Sequence, residues 1–490
     1  MEKTKVEKTI KFLMLLIGFV ILFSVNTLHV QAAENSLEKI KQSGKIVVAT
    51  SPDYPPYEFQ VNKHGENKIA GMDIDVAKQI AKDLHVKLVI KSMKFDSLLV
   101  AIETGKADMA IGGINPTSER RQSVDFSNIY YLGGQSFLIN KSDSMKFPNQ
   151  KALQGKLVGA QTGSLQYNLA KTHMANTTIK GMDKTPDLIL ALKIHKLEAV
   201  GVEKPVAKAY ASNDNGLTIV PATYKLDKNQ VGAAIAFKKN SYMLEDAVNK
   251  SIKKIKEGNK IDGYLKDAGK DMKVNTTNTS MWNYSDYFVK GVKYTIFISI
   301  VASVLGVLIG ITLALMRFTK VKFFHALALC YVEFVRGTPL MVQVMFVYFG
   351  IGSIIDISAL LAGIIAISLN SGAYVAEIIR GGIDSIDAGQ TEAAASLGLP
   401  HYDTMRFVIL PQAFKNIWPA LGNEFISLVK ESSIVSIIGV TDLIYQANLV
   451  RANTYRGIMP IFVVMVLYFV MTFILTRILN YYEMKMRSPE

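Results

Sequence analysis

Only one cysteine, Cys330, occurs in the 490 residues, so a disulfide framework within the chain is excluded. It falls near an apolar run and reads as a small packing residue. The seven histidines are scattered and form no clustered metal-ligand set. A phosphate-cradling loop is also missing. It needs Gly-Lys followed by Ser or Thr, so that backbone amides and the Lys hold the phosphates. The Gly-Lys pairs here run into Ile46, Ala107, Leu157 and Asp271. No nucleophile constellation stands out. The sequence therefore predicts no enzyme and no cofactor in this chain, and any ATP hydrolysis must come from another.

What is present is unevenly spread. Hydrophobic residues make up 49% of the chain, with room for two or three domains. Residues 36–275 carry Lys, Asp and Asn and only short apolar runs, whereas 294–480 are dominated by long ones. A soluble domain precedes a membrane domain. The net charge of +14 comes from scattered surface lysines and from residues flanking spans, so a nucleic-acid partner is not expected. Lys3, Lys5, Lys8 and Lys11, an uncharged Phe12–Phe23 core and the small residues up to Ala33 predict a secretion signal over 1–33, cleaved or kept as an anchor.

The exported part alternates strand and helix signals. Lys45–Thr50, Lys87–Ile90 and Ala107–Ile111 are β-branched or apolar runs, with Asp73–Leu84 and Phe95–Thr104 at helical spacing between them. A second series starts at Lys156. This grammar predicts parallel sheets covered by helices, with ligand at the carboxyl ends of the strands.

Motifs then carry a resemblance. Gly71-Met72-Asp73-Ile74-Asp75-Val76, the Gly112–Arg121 loop and Val124-Asp125-Phe126-Ser127 resemble polar-amino-acid binding proteins over about residues 37–270. The resemblance implies a two-lobed clamshell closing on a free amino acid, with crossings near Gly133-Gly134 and Ala233–Ala236. It assigns Arg120 to the ligand carboxylate, which a guanidinium grips bidentately. Backbone amides around Asn115 and around Thr162, Gly163 and Ser164 would complete the anion site. Glu203 and the Gly113 carbonyl would accept from the ammonium. Tyr54 and Phe95 match positions that sandwich the ligand side chain. Ser51 stands where many relatives have Asp, with Asp53 the nearby replacement. Ala160-Gln161 lacks the Lys common before Thr-Gly in glutamine binders. Facing aromatics suit a cation, so arginine, lysine or histidine is expected ahead of glutamine.

The segment 34–272 thus reads as the binding domain, 273–283 as a polar flexible linker, and 284–490 as the membrane domain. Five spans are predicted, at about Tyr294–Met316, Val332–Ile354, Ile357–Ile379, Trp418–Thr441 and Ile458–Leu479. Basic residues Arg317, Lys320, Lys322, Arg380, Arg406, Lys415 and Arg477 set the inside face, with Arg451 and Arg456 as exceptions outside.

Between the third and fourth spans lie Glu392-Ala393-Ala394, Gly398 and Val408-Ile409-Leu410-Pro411. This resembles the EAA loop of ABC importer permeases, a cytoplasmic helix that docks on a separate ATPase. Glu333–Leu340 and Ser371–Glu377 are similar to amino-acid permeases too. Asn370, Glu424 and Glu431 lie at membrane depth, as helix-pairing or substrate-path residues. The resemblance as a whole implies an α/β two-lobed, periplasmic-binding-protein-like domain fused to an all-α type I permease of about five helices. Its expected partners are an amino acid, lipid, a cytoplasmic ABC ATPase and a second copy of this chain. The alternative is a ligand-gated channel or sensor, which would need a pore loop or signalling domain. A fused cell-wall enzyme would need a soluble catalytic domain in place of the spans.

Overall fold

Short β-branched runs alternating with amphipathic helices build two five-stranded sheets of the same design. The computed structural model describes residues 36–63, 66–224, 231–277, 280–454 and 457–487. The secretion signal read over 1–33 lies outside these residues. The first sheet runs Lys87–Ser92, Lys45–Thr50, Met109–Ala110, Ala236–Lys238, Val124–Phe126. The second runs Thr178–Met182, Leu157–Gln161, Ala199–Glu203, Gln135–Asn140, Leu217–Pro221. In each sheet the first three strands are parallel, and the fourth alone runs opposite, antiparallel to both of its neighbours. The chain leaves the first lobe after Phe126 and returns to it at Ala236. An antiparallel bridge between Tyr131 and Ala233 joins the two crossing segments.

Ile46, Val48, Ile74, Ile80 and Leu98 are fully buried in the first lobe, each contributing about 1.5–3 kcal/mol of apolar transfer free energy. The Gly-x-Asp signature has a steric reason. Gly71 adopts φ +127, and a Cβ there would strike the Tyr57 carbonyl. That tight approach starts the helix Met72–Asp83 with Asp73 pointing into the lobe interior.

The linker reading changes. The helix Lys260–Thr277 covers its first residues, and a 3-10 turn at Met281–Tyr284 leads into the long helix Ser285–Phe318.

In the membrane domain, Met281–Phe318, Ala359–Asp384 and Ile458–Lys485 are unbroken apolar helices long enough to cross a bilayer. The second and fourth spans are bent pairs. Lys322–Arg336 and Leu340–Ser353 meet at 105°, and His401–Ile438 and Leu443–Arg451 at 55°. The first break falls at Gly337-Thr338-Pro339. Proline lacks the N–H that continues a helix and pushes the preceding residue out of helical geometry. Side chains satisfy the freed carbonyls: Gln343 Nε2 donates to Val335 O at 2.7 Å and to Thr338 O at 3.1 Å. The second break follows a 3-10 segment, Ser432–Ile438, and Gly439 at φ +85. The first and third spans approach closely through small residues. Added Cβ atoms at Gly306, Gly310 and Gly372 would meet Ser371, Val375 and Ile309.

Candidate functional site

The cleft between the lobes is built by loops at the strand ends. From the first lobe come Ser51–Tyr57, Phe95 and the loop Gly112–Arg120. The second lobe supplies the Thr162–Ser164 turn and Glu203, the last residue of its strand. Bonds cross the cleft repeatedly. Arg120 Nη2 donates to Gly163 O at 2.8 Å, and the Glu203 amide donates to Tyr54 Oη at 3.2 Å. Lys94 pairs with Asp183 at 2.9 Å. The lobes are closed.

Arg120 is the decisive cation. Its other terminal nitrogen donates to Asn115 O at 2.9 Å, and its guanidinium lies 5.4 Å from the centre of the Phe95 ring. Burial pulls its pKa down to about 10, with only Glu119 pulling the other way. A guanidinium held by carbonyls and a ring face, without a bidentate acid, is prepared for a carboxylate. Phe95 therefore faces Arg120, which differs from a purely ligand-side role.

Glu203 is 1% exposed and is the acidic counterpart. Asn115 Nδ2 donates to one of its oxygens at 3.0 Å and Tyr57 Oη donates to the other. Burial raises its pKa to about 7, against the pull of those two donors. Beside it, Gly113 takes φ +58, and a Cβ there would come within 3.3 Å of the Tyr54 ring. The Tyr54 and Tyr57 rings stack at 5.6 Å, and Tyr131 meets Tyr57 edge-on. Ser51 Oγ donates to Asp53 at 3.0 Å, and burial lifts Asp53 to about 6 despite Lys184.

The helix-start amides are partly committed. Thr162 N–H pairs with Met182 O and Ser164 N–H with Gln161 O, while Ser164 Oγ caps the helix Leu165–His173 by accepting from Tyr167 N–H. The anion contact expected of all three thus narrows. Sequence reasoning missed Tyr57, Tyr131 and the Lys94–Asp183 latch. The Tyr54-Pro55-Pro56-Tyr57 spacing was a visible hint for Tyr57; Lys94 and Asp183 are too far apart in sequence to be paired from it.

The closed cleft faces the membrane domain. Lys106, in the first lobe, is buried against the turn after the second span. Its Nζ lies 3.4 Å from Asp356, donates to Ile357 O at 3.3 Å and sits over the Tyr348 ring. Arg451, on the helix Leu443–Thr454, pairs with Asp187 of the second lobe. Between these contacts Gly439 packs on the Ser92 carbonyl. Ser51, Asp53, Lys184, Ser436, Tyr445 and Asn448 line a small cavity of about 40 Å³ where the mouth of the cleft meets the membrane domain.

Within the membrane domain, Asn370 Nδ2 donates to Gln343 at 3.1 Å and Ser371 Oγ to Glu424 at 3.2 Å. Both residues therefore pair helices, and Glu431 sits half-buried near the end of the same helix. At the other end Glu392, Ala393 and Ala394 lie on the short helix Ala388–Ser396, capped by Asp387. Gly398 ends it at φ +77, with Leu399 N–H returning to Ala394 O. Leu397, Tyr402 and Phe407 stand exposed around it, and Leu410-Pro411 opens the helix Leu410–Glu431.

Residues 46–267 match the bacterial extracellular solute-binding proteins, family 3. Residues 306–488 match the binding-protein-dependent transport system inner membrane component. The arginine transport system permease protein ArtQ of Bacillus subtilis (strain 168) is 42% identical over 42% of this chain and 94% of its own length. The glutamine transport system permease protein GlnP of Escherichia coli (strain K12) is 35% identical over 43% of this chain and 97% of its own. A solved amino acid ABC transporter substrate-binding protein from Streptococcus pneumoniae, bound to L-arginine, is 38% identical. It covers 48% of this chain and 98% of that one, with a TM-score of 0.47.

Proposed function

This chain belongs to the amino-acid ABC importers, as a family 3 binding protein and its membrane permease in one polypeptide, and from that premise we propose that its cargo is arginine. It is a transport subunit and no enzyme. Its binding domain lies outside the membrane, and the energy comes from a separate ATPase. The single observation behind the cargo is Arg120, a half-buried cation of the first lobe that bonds only carbonyls, set across the cleft from Glu203, a buried acid that has no cation partner among the described residues. Together they complement the two ends of an amino-acid zwitterion, both costly to bury unpaired. Asp53, half-buried at the cleft mouth and held by Ser51, offers a second carboxylate for a cationic side chain. The identity of the permease half with a protein named for arginine transport supports the same cargo.

The closed lobes present Asp187 and the Lys106 face together to the membrane domain. Docking on Arg451 and Asp356 then follows cleft closure. The short helix carrying Glu392 seats in the ATPase, and nucleotide-driven movement reaches the bent spans through Leu410-Pro411. Two copies of the chain form the permease pair.

The test is competition of labelled arginine by unlabelled amino acids on the full chain in nanodiscs, followed by uptake into vesicles with the ATPase. Arginine should displace at least about tenfold better than glutamine, one charge-assisted bond being worth that much. Tighter glutamine would overturn arginine as cargo and leave the importer in place.

A further inference from the structure

Beneath the ligand loop lies a group that neither capture nor docking uses. Glu58 is fully buried, and neither of its carboxyl oxygens accepts from an N–H or O–H donor among the described residues. Among the described residues its charged neighbours include no cation. Asp73, Asp53 and Glu203 face it with carboxyls, and Tyr54 and Tyr130 with neutral phenols. An ionised carboxylate in that position would be a buried charge with neither partner nor donor, which folded proteins avoid.

Asp73 is different. Its Oδ2 accepts from the Gly113 amide at 2.8 Å and its Oδ1 from Tyr130 Oη at 2.7 Å. Glu58 Oε1 lies at the same turn, 3.3 Å from where a Cβ on Gly112 would stand and one residue from the amide that Asp73 holds, and the two buried carboxyls interact there as hydrogen-bond partners. Two carboxylates cannot make such a contact, since both are acceptors only; one proton is required. Asp73 has donors on both oxygens and is the better anion. Glu58 has none and is the better acid.

We propose that Glu58 is a neutral carboxylic acid that donates its proton to Asp73, completing a three-donor clasp that fixes the Gly113 turn. Glu58 is a positioning residue that acts through Asp73 on the Gly113 turn. The inference rests on the reading that the Gly113 carbonyl accepts from the ligand ammonium. The clasp reaches that carbonyl through the adjacent amide, at a residue whose φ of +58 and close Tyr54 ring leave the turn little room. Burial and the neighbouring Asp73 and Asp53 push Glu58 upward in pKa, whereas the Gly113 and Tyr130 donors oppose the rise at Asp73.

The experiment compares wild type, Glu58→Gln and Glu58→Leu as full chains in nanodiscs. Gln keeps a neutral donor, and Leu keeps volume only. In the infrared, subtracting either variant from wild type should leave the C=O band of a protonated carboxylic acid. Arginine affinity should stay within about threefold for Gln and fall by about tenfold or more for Leu, the range for a lost bond to a charged acceptor. No carboxylic-acid band in the difference spectrum would overturn the proposal. So would Gln as weak as Leu, which would mean an ionised Glu58 is needed, or Leu as tight as wild type. Should Leu fail to fold, the infrared and Gln arms still decide. Absence of arginine binding by wild type would refute the cargo reading, with the infrared arm still deciding the state of Glu58.

Discussion

Gly439, at the break of the fourth span, lies directly against the carbonyl of Ser92 at the end of a first-lobe strand. Its φ of +85 and that contact both exclude a side chain. Gly439→Ala adds a methyl where the carbonyl sits, at about 1 kcal/mol of backbone strain before any clash. Arginine affinity should be unchanged, because the cleft is untouched. Arginine-stimulated ATP hydrolysis and uptake should fall strongly in vesicles containing the ATPase. Wild-type uptake in a folded Gly439→Ala chain would mean that the binding domain delivers through a different face.

Arg120→Ala removes the cation assigned to the ligand carboxylate. The loss of a bond to a charged group is worth about 1.5–3 kcal/mol, so arginine affinity should drop roughly tenfold to over a hundredfold. Phe95→Leu separates two roles for the ring. Since Phe95 supports Arg120 at 5.4 Å, its loss should weaken arginine and neutral amino acids alike, by about 0.5–2 kcal/mol. A loss confined to arginine would place the ring on the ligand side chain instead. Calorimetric titration of both variants decides between the two.

Ligand binding should also titrate. Burial lifts Glu203 from its ordinary 4.5 to about 7, so the empty folded site holds a proton that the unfolded chain has released. Stability of the empty protein from this group therefore falls as pH rises from 4.5 towards 7 and is level above. The arginine ammonium favours the ionised form, so affinity should rise over the same interval, by at most about tenfold per pH unit. Affinities measured at about pH 5.5, 6.5 and 7.5 should climb in wild type and flatten in Glu203→Gln. A level wild-type profile would remove Glu203 from the ammonium site.

Much of this architecture was legible because it is local. Strand and helix periods marked the two series of alternating elements, the resemblance implied the two lobes, and the Gly71–Asp73 signature encodes a close approach that only glycine permits. The kinks in the second and fourth spans were not legible from hydropathy, which measures apolar length and carries no direction. Pro339 and Gly439 mark those breaks, yet either residue also occurs in unbroken spans. Arg451, an exception to the inside bias of positive charge, has its reason in Asp187, 264 residues away in sequence. Glu58 was silent for a similar cause. A single acid opening a strand looks like surface until folding brings Asp73 over it.

The coupling helix gives the last test. Gly398 has open space around it, so crowding is not what demands glycine there. Its φ of +77 is, since that conformation turns the chain from the helix of Glu392 towards Leu410-Pro411. A β-branched residue held there costs about 1–3 kcal/mol and would be relieved by redirecting the turn. Gly398→Val should therefore displace the exposed Leu397 and Tyr402 that flank the turn. Arginine binding across the membrane should stay at the wild-type level. Co-purification of the ATPase should fall, and with it arginine-stimulated hydrolysis. Gly398→Asn, which tolerates the left-handed conformation, should retain most of both. If Val and Asn behave alike, the side chain itself meets the ATPase and the turn is not the element being read. If both support normal recruitment and uptake, coupling runs through another cytoplasmic surface.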